Sequence, residues 1–206
     1  MIKTILWDFD GVIFNSMKIK ADGFIELFKE YDSHYVKAIE EYHYLNGGIS
    51  RFEKIQYFYT QILKQNITED MTIQLADKFS QLIEKKLYNK SNLIQETNDF
   101  IKMNFNKYNF HIVSGAEHNE LNSLCDHFKL TQYFKTIDGS PTKKDKLIQL
   151  NMDRFQYKEN ETILIGDSLN DYSAAQNNNI KFFGYNNIVL KDLNYISTFK
   201  NLKLEP

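Results

Sequence analysis

The first apolar run of the chain is Ile5-Leu6-Trp7, and it stops at two acids in Asp8-Phe9-Asp10-Gly11-Val12. A continuously apolar run is typical of a strand that is buried on both faces of a parallel sheet. The acids then fall at the carboxyl end of that strand, where open α/β sheets bind ligands. Successive strand residues point to opposite faces, so Asp8 and Asp10 point to the same one and repel unless a cation or a shared proton intervenes. The simpler alternative is that one acid caps a turn and the other is solvated.

The composition is that of an ordinary globular protein, with one domain or a core domain that carries an insertion. The chain has 206 residues, of which 42% are apolar and 25% charged. Its net charge of -2 provides no field that favours nucleic acid. The single cysteine, Cys125, excludes an intrachain disulfide, and its place on the apolar side of a predicted helix indicates a buried structural residue.

No segment has the pattern of a membrane span or of a signal peptide. A span needs about 20 apolar residues, and Asp8 and Asp10 interrupt the only apolar run near the N-terminus. We therefore expect a cytoplasmic protein that binds neither nucleic acid nor a membrane. The sequence leaves its oligomeric state open.

Short β-like runs alternate with helical patterns along most of the chain. Such alternation predicts an α/β fold with right-handed crossovers and a doubly wound, Rossmann-like parallel sheet. The predicted strands are 3–8, 109–114, 135–138, 161–166 and 180–185, and helices are predicted near 116–128, 143–151 and 169–178.

The long segment between the first two predicted strands has only helical patterns. It is too long for a crossover loop, so we expect a separate helical unit inserted beside the end of the first strand. The predicted division is a core of residues 1–14 and 96–206 and a helical cap of residues 15–95; the weakly patterned segment 186–206 is expected to lie over the core surface. Helices are predicted at 17–30, 34–45, 51–64, 70–88 and 94–107.

Two further predicted strands end in groups that suit a phosphoryl anion. Ser114 and Gly115 follow the second strand and offer a hydroxyl and free backbone N–H groups, although the same pair is common in a plain turn with a helix cap. A helix that we expect Thr142 to cap then begins with several lysines. By position we favour Lys144 over Lys143 as the one that meets an anion, the alternative being a solvated basic cluster.

The fourth signal is a glycine and an acid at the tip of another apolar strand. Gly166-Asp167 is followed four residues later by Asp171. Asp171 also has the spacing of a capping box with Ser168, so it can serve simply to start a helix. Asp167 is harder to explain as a structural residue, since it stands where a buried strand ends.

In order, four strand ends therefore carry Asp-x-Asp, Ser, Lys and Gly-Asp-x-x-x-Asp, with a helical insertion after the first. This combination resembles the haloacid dehalogenase-like hydrolase superfamily over essentially the whole chain. The resemblance implies that Asp8 attacks phosphorus and that Asp10 acts as the general acid and base. It also implies a Mg²⁺ ion bound by Asp8, the backbone carbonyl of Asp10, Asp167 and Asp171.

The resemblance assigns the remaining groups to the phosphoryl oxygens. Ser114 and the N–H of Gly115 would hold non-bridging oxygens, and Lys144 would balance charge on the nucleophile and the transferring group. The presence of Asp10 argues against the dehalogenases and phosphonate hydrolases of the superfamily, which lack this acid. The five histidines show no metal-ligand spacing.

Within the insertion, Gly47-Gly48-Ile49-Ser50-Arg51 resembles the cap loop of β-phosphoglucomutase and related phosphatases, which include phosphoglycolate phosphatase. There an arginine contacts the far end of the substrate, so Arg51 would clamp a second phosphate or a carboxylate. The alternative is an exposed arginine in a first helical turn. Lys54, one helical turn on, would either join Arg51 in this clamp or, as we favour, be solvated. Asn15 stands where relatives often have aspartate, which leaves its role open.

The resulting hypothesis is a Mg²⁺-dependent phosphatase that acts on a small phosphorylated metabolite through an aspartyl-phosphate. A phosphosugar mutase is the first alternative, and it is disfavoured because no glutamate precedes Asp167 as it does in that enzyme. The second alternative is a binding or regulatory module that keeps the fold without turnover. A receiver-type signalling domain is also phosphorylated on aspartate, but it has no use for a long helical insertion.

Overall fold

A parallel sheet of six strands lies at the centre of the structure, a computed structural model that describes residues 1–200 and 202. Every neighbouring pair of strands is parallel, as the sequence predicted. The strands are β1 (Thr4–Trp7), β2 (Asn109–Glu117), β3 (Thr136–Ser140), β4 (Thr162–Gly166), β5 (Lys181–Tyr185) and β6 (Tyr195–Ile196), and their order in the sheet is β3-β2-β1-β4-β5-β6.

The strand β1 lies between β2 and β4, and its register fixes where the functional loops begin. Trp7 is paired with Ile112 on one side and with Ile165 on the other. The N–H of Asp8 donates to the carbonyl of Ile165 over 2.9 Å. The segments after these three strands therefore leave the sheet side by side at its carboxyl edge.

Helices cover the sheet, and its residues alternate between two apolar clusters. Ile5 and Trp7 belong to the larger cluster, whereas Leu6 packs with Ile148 and Leu164 in the other. This explains the uninterrupted apolar run, since both faces of β1 are buried. The helices of this part are α5 (Gln95–Asn104), α6 (His118–His127), α7 (Lys144–Phe155) and α8 (Leu169–Asn177), and four earlier helices precede them in the chain.

Those four helices form the insertion between β1 and β2: α1 (Met17–Leu27), α2 (Ser33–Leu45), α3 (Arg51–Tyr57) and α4 (Glu69–Leu87). The helix α1 packs against both α2 and α4, and a π-helical turn, Phe58–Ile62, continues α3. Aromatic side chains hold the unit together. The rings of Phe28 and Phe58 stack at 3.7 Å, and those of Phe24 and Phe79 lie 4.4 Å apart.

The structure departs from the prediction at three element boundaries. The helix predicted from residue 116 begins at His118, because β2 continues through a register shift as far as Glu117. Thr142 does not cap α7, whose N-cap is Lys143 without a side-chain bond. The tail contributes the strand β6, whose two residues are too few to form a recognisable pattern.

Cys125 is buried, as predicted. Residues 201 and 203–206 of the tail lie outside the described residues. In the part of the chain that the structure describes, no helix combines the length and hydrophobicity that a membrane span requires.

The close crossing of α1 and α4 at Gly23 gives a prediction for stability. A Cβ atom at Gly23 would lie 2.5 Å from Cγ2 of Ile83 and 2.9 Å from Cε2 of Phe79. Alanine normally stabilises a helix interior relative to glycine, but here overpacking should dominate and Gly23→Ala should cost about 1–3 kcal/mol. Urea unfolding followed by circular dichroism measures the change.

A double variant tests the cause. If the methyl of Ile83 is the obstacle, Gly23→Ala with Ile83→Ala should lose less stability than the sum of the single losses. An unchanged or raised urea midpoint for Gly23→Ala alone would contradict the packing argument.

Candidate active site

Three buried carboxylates meet at the carboxyl edge of the sheet. Asp8 follows β1, Asp167 follows β4, and Asp171 lies in the first turn of α8. One carboxylate oxygen from each lies within 4.8 Å of the others. The exposed fraction is 0% for Asp8 and Asp171 and 8% for Asp167. Like charges held this close in a dry site need positive charge nearby.

Lys144 supplies one such charge from the start of α7. Its Nζ contacts Oδ1 of Asp171 and lies 2.9 Å from Oδ1 of Asp8. Although burial opposes the charged form, these two acids raise the pKa of Lys144 above its ordinary value. Lys143 is instead exposed and lies 3.5 Å from Glu53, so Lys144 is the lysine that joins the cluster.

One lysine does not balance the charge of three carboxylates, and the remaining negative charge helps to raise the pKa values of Asp8 and Asp167. Burial, and then the charge of Asp171, raise the pKa of Asp8 to about 7 against the opposing effect of Lys144. Burial and the charge of Asp8 raise the pKa of Asp167 well above its ordinary value. The cluster is therefore an unfavourable arrangement of charge unless a cation joins it.

Two oxygen atoms of the cluster remain for such a cation. Oδ2 of Asp8 and Oδ1 of Asp167 are buried and have no hydrogen-bond partner within the described residues. Carboxylate oxygens are the hard ligands that Mg²⁺ prefers. The donor set thus fits a Mg²⁺ ion between the ends of β1 and β4.

The carboxylate of Asp171 is already occupied by the protein. Its Oδ2 accepts from the N–H of Asp167 at 3.2 Å, and from the N–H and hydroxyl of Ser168 at 3.1 and 2.7 Å. Ser168 in turn accepts from the N–H of Asp171, which confirms the predicted capping box. Asp171 therefore orients the loop that carries Asp167 and anchors Lys144.

Asp10 faces the insertion rather than the carboxylate cluster. It accepts hydrogen bonds from the hydroxyl of Ser16 and from Nζ of Lys20. Burial acts to raise the pKa of Asp10, but Lys20 and Ser16 outweigh it and the pKa is lowered. Asp8 and Asp10, which only Phe9 separates in the sequence, thus have pKa values that are shifted in opposite directions.

Three polar residues of the insertion close to Asp10 were missed or misjudged from the sequence. Lys54 was expected to be solvated, and this was wrong, because it is 4% exposed and its Nζ lies 3.0 Å from Nδ1 of His43. Lys20 and His43 are buried as well. A signal existed: Lys20 shares its helical face with Phe24, where an apolar residue is the usual choice.

Arg51 is buried, so the alternative of an exposed arginine in a first helical turn is excluded. Its guanidinium bonds to Glu120 and to Ser80, and lies 4.9 Å from the ring centre of Phe79. Glu120 belongs to α6 of the core, so the ion pair joins the insertion to the core. Asn15 has an exposed side chain.

Ser114 and Gly115 were expected to follow the second strand, but they lie within β2, which continues to Glu117, beneath the loop of the insertion. A Cβ atom at Gly115 would be 2.2 Å from the carbonyl oxygen of Gly48, so only glycine allows this approach. Gly115 lines one cavity with Asp10 and a second with Lys144. Ser114 is buried, and its Oγ accepts from the N–H of Ala116 at 3.2 Å. Within the described residues no hydrogen bond joins Ser114 to the carboxylate cluster.

Two asparagines after β5, which the sequence analysis did not single out, tie the functional loops together. The side chain of Asn186 donates to the carbonyl of Gly11 at 2.9 Å, and that of Asn187 donates to the carbonyl of Asp167 at 2.7 Å. Asn186 has a φ of 56°, a left-handed conformation that asparagine tolerates better than most residues. The loop after β5 thereby holds the segments after β1 and β4 at once.

Comparisons with known proteins identify the family of the chain and match its fold. The model of the haloacid dehalogenase-like hydrolase family matches residues 5–185. A search of curated proteins found no match. Among solved structures, β-phosphoglucomutase from Clostridium difficile is 17% identical with a TM-score of 0.77, and the alignment covers 99% of this chain and 94% of that one.

Two further structures have the same fold. A haloacid dehalogenase-like hydrolase from Bacteroides fragilis is 18% identical with a TM-score of 0.78, over 98% of this chain and 100% of that one. The HAD-hydrolase YfnB from Bacillus subtilis, bound to magnesium, is 19% identical with a TM-score of 0.69, over 97% of this chain and 96% of that one.

The charge deficit of the carboxylate cluster predicts a specific effect of metal on stability. In buffer with a chelator, Asp167→Asn should be more stable than the unsubstituted chain, by on the order of 1–3 kcal/mol, because one buried repulsion is removed. Mg²⁺ at 100 times its dissociation constant should then stabilise the unsubstituted chain by about 2.7 kcal/mol. Thermal unfolding with and without Mg²⁺ measures both effects.

The control is Asp77→Asn, which removes an exposed acid of α4. It should respond to Mg²⁺ like the unsubstituted chain, whereas Asp167→Asn should respond weakly. An equal Mg²⁺ response in all three proteins would mean that the metal does not bind at the cluster.

Proposed function

The chain belongs to the haloacid dehalogenase-like hydrolase family, and we propose that it is a Mg²⁺-dependent phosphatase acting on a small phosphorylated metabolite. The observation that carries this proposal is the cluster of Asp8, Asp167 and Asp171 around Lys144, at the edge where the strands end. The unpartnered oxygens of Asp8 and Asp167 support a metal at that place.

Asp8 is the proposed nucleophile. Its Oδ1 accepts from the N–H of Phe9 at 2.7 Å and pairs with Lys144, which fixes the carboxylate while Oδ2 stays without a protein partner. An Asp8 oxygen attacks phosphorus, a bond to the aspartate forms, and the bond to the leaving oxygen breaks. Water then attacks the same phosphorus, which releases phosphate and restores the carboxylate.

Asp10 is the proposed acid and base of these two steps. It first gives a proton to the leaving oxygen and then takes one from the attacking water. Lys20 and Ser16 hold the carboxylate in place, and Lys20 favours the ionised form that the second step needs. The negative phosphoryl group of a bound substrate favours the protonated form that the first step needs.

The remaining groups act on the charge of the phosphoryl group. Lys144 offsets the negative charge of Asp8 and of the transferring oxygens. Ser114 and the N–H of Gly115 are proposed to hold non-bridging oxygens. A Mg²⁺ ion held by Asp8, Asp167 and the backbone carbonyl of Asp10, with Asp171 in support, would supply Lewis-acid stabilisation of the transferring group.

The insertion is the proposed cap, with the boundaries 15–95, over a catalytic core of 1–14 and 96–206. Contacts across the boundary support this role. Asn170 of α8 donates to the carbonyl of Gly47 at 2.9 Å, and the ion pairs Arg51–Glu120 and Lys20–Asp10 also cross it. A cap closed in this way excludes water from the phosphoryl site and selects the leaving group.

The proposal predicts metal-dependent phosphate release from phosphorylated sugars, nucleotides and short acids. Release should require Mg²⁺ and should fall by about 10⁴-fold or more in Asp8→Asn, because the nucleophile is lost. A malachite-green assay over a broad substrate panel measures it. A phosphosugar mutase would instead interconvert phosphosugars with little net release, and silence from folded protein that binds Mg²⁺ would favour a non-catalytic module.

Neighbouring lysines provide a matched pair for the charge-balancing role. Lys144→Met should lower kcat by about 10²–10³-fold, since a buried cation beside the reacting group is lost. Lys143→Met changes an exposed side chain and should leave kcat within about twofold of the unsubstituted enzyme. Steady-state kinetics on the best substrate of the panel give both values, and an equal loss in the two variants would refute the assignment of Lys144.

A further inference from the structure

Three buried cations surround a small chamber between the insertion and the end of β2. Lys20, Arg51 and Lys54 are 8%, 5% and 4% exposed. The chamber has a volume of about 20 Å³, room for about one water molecule, and Asp10 and Gly115 also line it. Long basic side chains are seldom this buried without anionic partners.

Two of the three cations have such a partner within the protein. Lys20 pairs with Asp10, and Arg51 pairs with Glu120. Lys54 has no carboxylate within 4.0 Å among residues 1–200 and 202. With Lys54 protonated, the wall of the chamber therefore carries one positive charge in excess.

The only hydrogen-bond partner of the Lys54 ammonium group among the described residues is a neutral ring. Nε2 of His43 lies 3.0 Å from the carbonyl oxygen of Met17, which requires a proton on that nitrogen. Nδ1 of His43 then accepts from Lys54 at 3.0 Å, and burial together with Lys54 lowers the pKa of His43 to about 3. His43 thus fixes Lys54 without neutralising it, and two ammonium protons remain for another acceptor.

We propose that the substrate carries a second anionic group, a carboxylate or a phosphate, which pairs with Lys54 while the phosphoryl group to be transferred lies at Asp8. This rests on the proposed phosphatase function and adds the chemical class of the leaving group. Burial and the nearby charge of Lys20 lower the pKa of Lys54 to about 7, and an arriving anion would reverse that effect.

Arg51 is less suited to this task than Lys54 in the described arrangement. Its guanidinium already pairs with the partly buried carboxylate of Glu120 and donates to Ser80, so its charge is balanced within the protein. Moving Arg51 away from Glu120 toward a substrate would break an ion pair that is largely shielded from water, which is unfavourable. Lys54 accepts an anion without the loss of any ion pair, and Arg51 instead holds the insertion against the core.

The substrate is also small. Lys54 and Asp10 line the same small chamber, and Gly115 lines it with them. The two anionic groups of the substrate must therefore be separated by a short spacer. Because the chamber is so small, the substrate enters only when the loop around Gly48 moves away from Gly115.

Three synthetic probes of matched length test the proposal. They are 3-(phosphonooxy)propanoate, propane-1,3-diyl bisphosphate and the uncharged counterpart 3-hydroxypropyl phosphate. For the unsubstituted enzyme, kcat/KM should favour the better anionic probe over the hydroxyl probe by about 10- to 100-fold. Comparing the first two probes distinguishes a carboxylate from a phosphate.

Variants at position 54 identify the group responsible. Lys54→Met should reduce the preference ratio to about 1, mainly through KM, whereas Lys54→Arg should retain most of it. Lys143→Met, an exposed lysine of the core, should leave the ratio unchanged. Thermal unfolding of each variant establishes that it is folded, and the preference ratio does not depend on the fraction of active enzyme.

Titration calorimetry on Asp8→Asn makes the test independent of turnover. The anionic probes should bind more tightly than the hydroxyl probe, and Lys54→Met in the same background should abolish the difference. Equal binding of all probes, or a preference that survives Lys54→Met, would overturn the inference even if phosphate release is observed. Anion-selective binding without phosphate release would support it while rejecting the proposed phosphatase.

Discussion

The contact of the Lys144 ammonium group with Asp8 and Asp171 is the interaction on which the site depends. It joins the end of β1 to the start of α8, and it does so from the first turn of α7, where the helix dipole disfavours a cation. That dipole effect is worth about 2 kcal/mol at most, and the two buried carboxylates outweigh it. Three elements that are distant in the chain are thereby held around one charge.

Charge is distributed unequally across the site. The sheet edge has an excess of negative charge, since Lys144 is the only cation paired with the acids Asp8 and Asp171 within the described residues. The wall of the chamber on the side of the insertion has an excess of positive charge when Lys54 is protonated, since Lys54 has no acidic partner among the described residues. Lys54 would attract the leaving group of a phosphate ester bound between them, whereas the carboxylates at the sheet edge would repel its phosphoryl group. A divalent cation beside the phosphoryl group would offset that repulsion.

Patterns along the sequence predicted the sheet, the helical insertion and the strand-end acids, because apolar residues follow one another in buried strands and recur at helical spacing in amphipathic helices. The burial of Lys54 was not predictable in this way. A lysine on a helix is ordinarily solvated, and Lys54 is buried only because His43, from another helix, receives it. The extension of β2 to Glu117 arises from a register shift with β3, which neither strand encodes by itself.

The hydrogen bonds of the loop after β5 have a consequence for how the sequences of related proteins diverge. Asn186 and Asn187 donate to main-chain carbonyls, at Gly11 and at Asp167, so their bonds do not depend on which side chains stand at those two positions. Contacts of this type produce no paired substitutions over evolution, because one partner has no side chain in the interaction to exchange. Statistical methods that infer contacts from covarying positions would therefore miss these hydrogen bonds. One of them joins Asn186 to Gly11, which are 175 residues apart in the sequence.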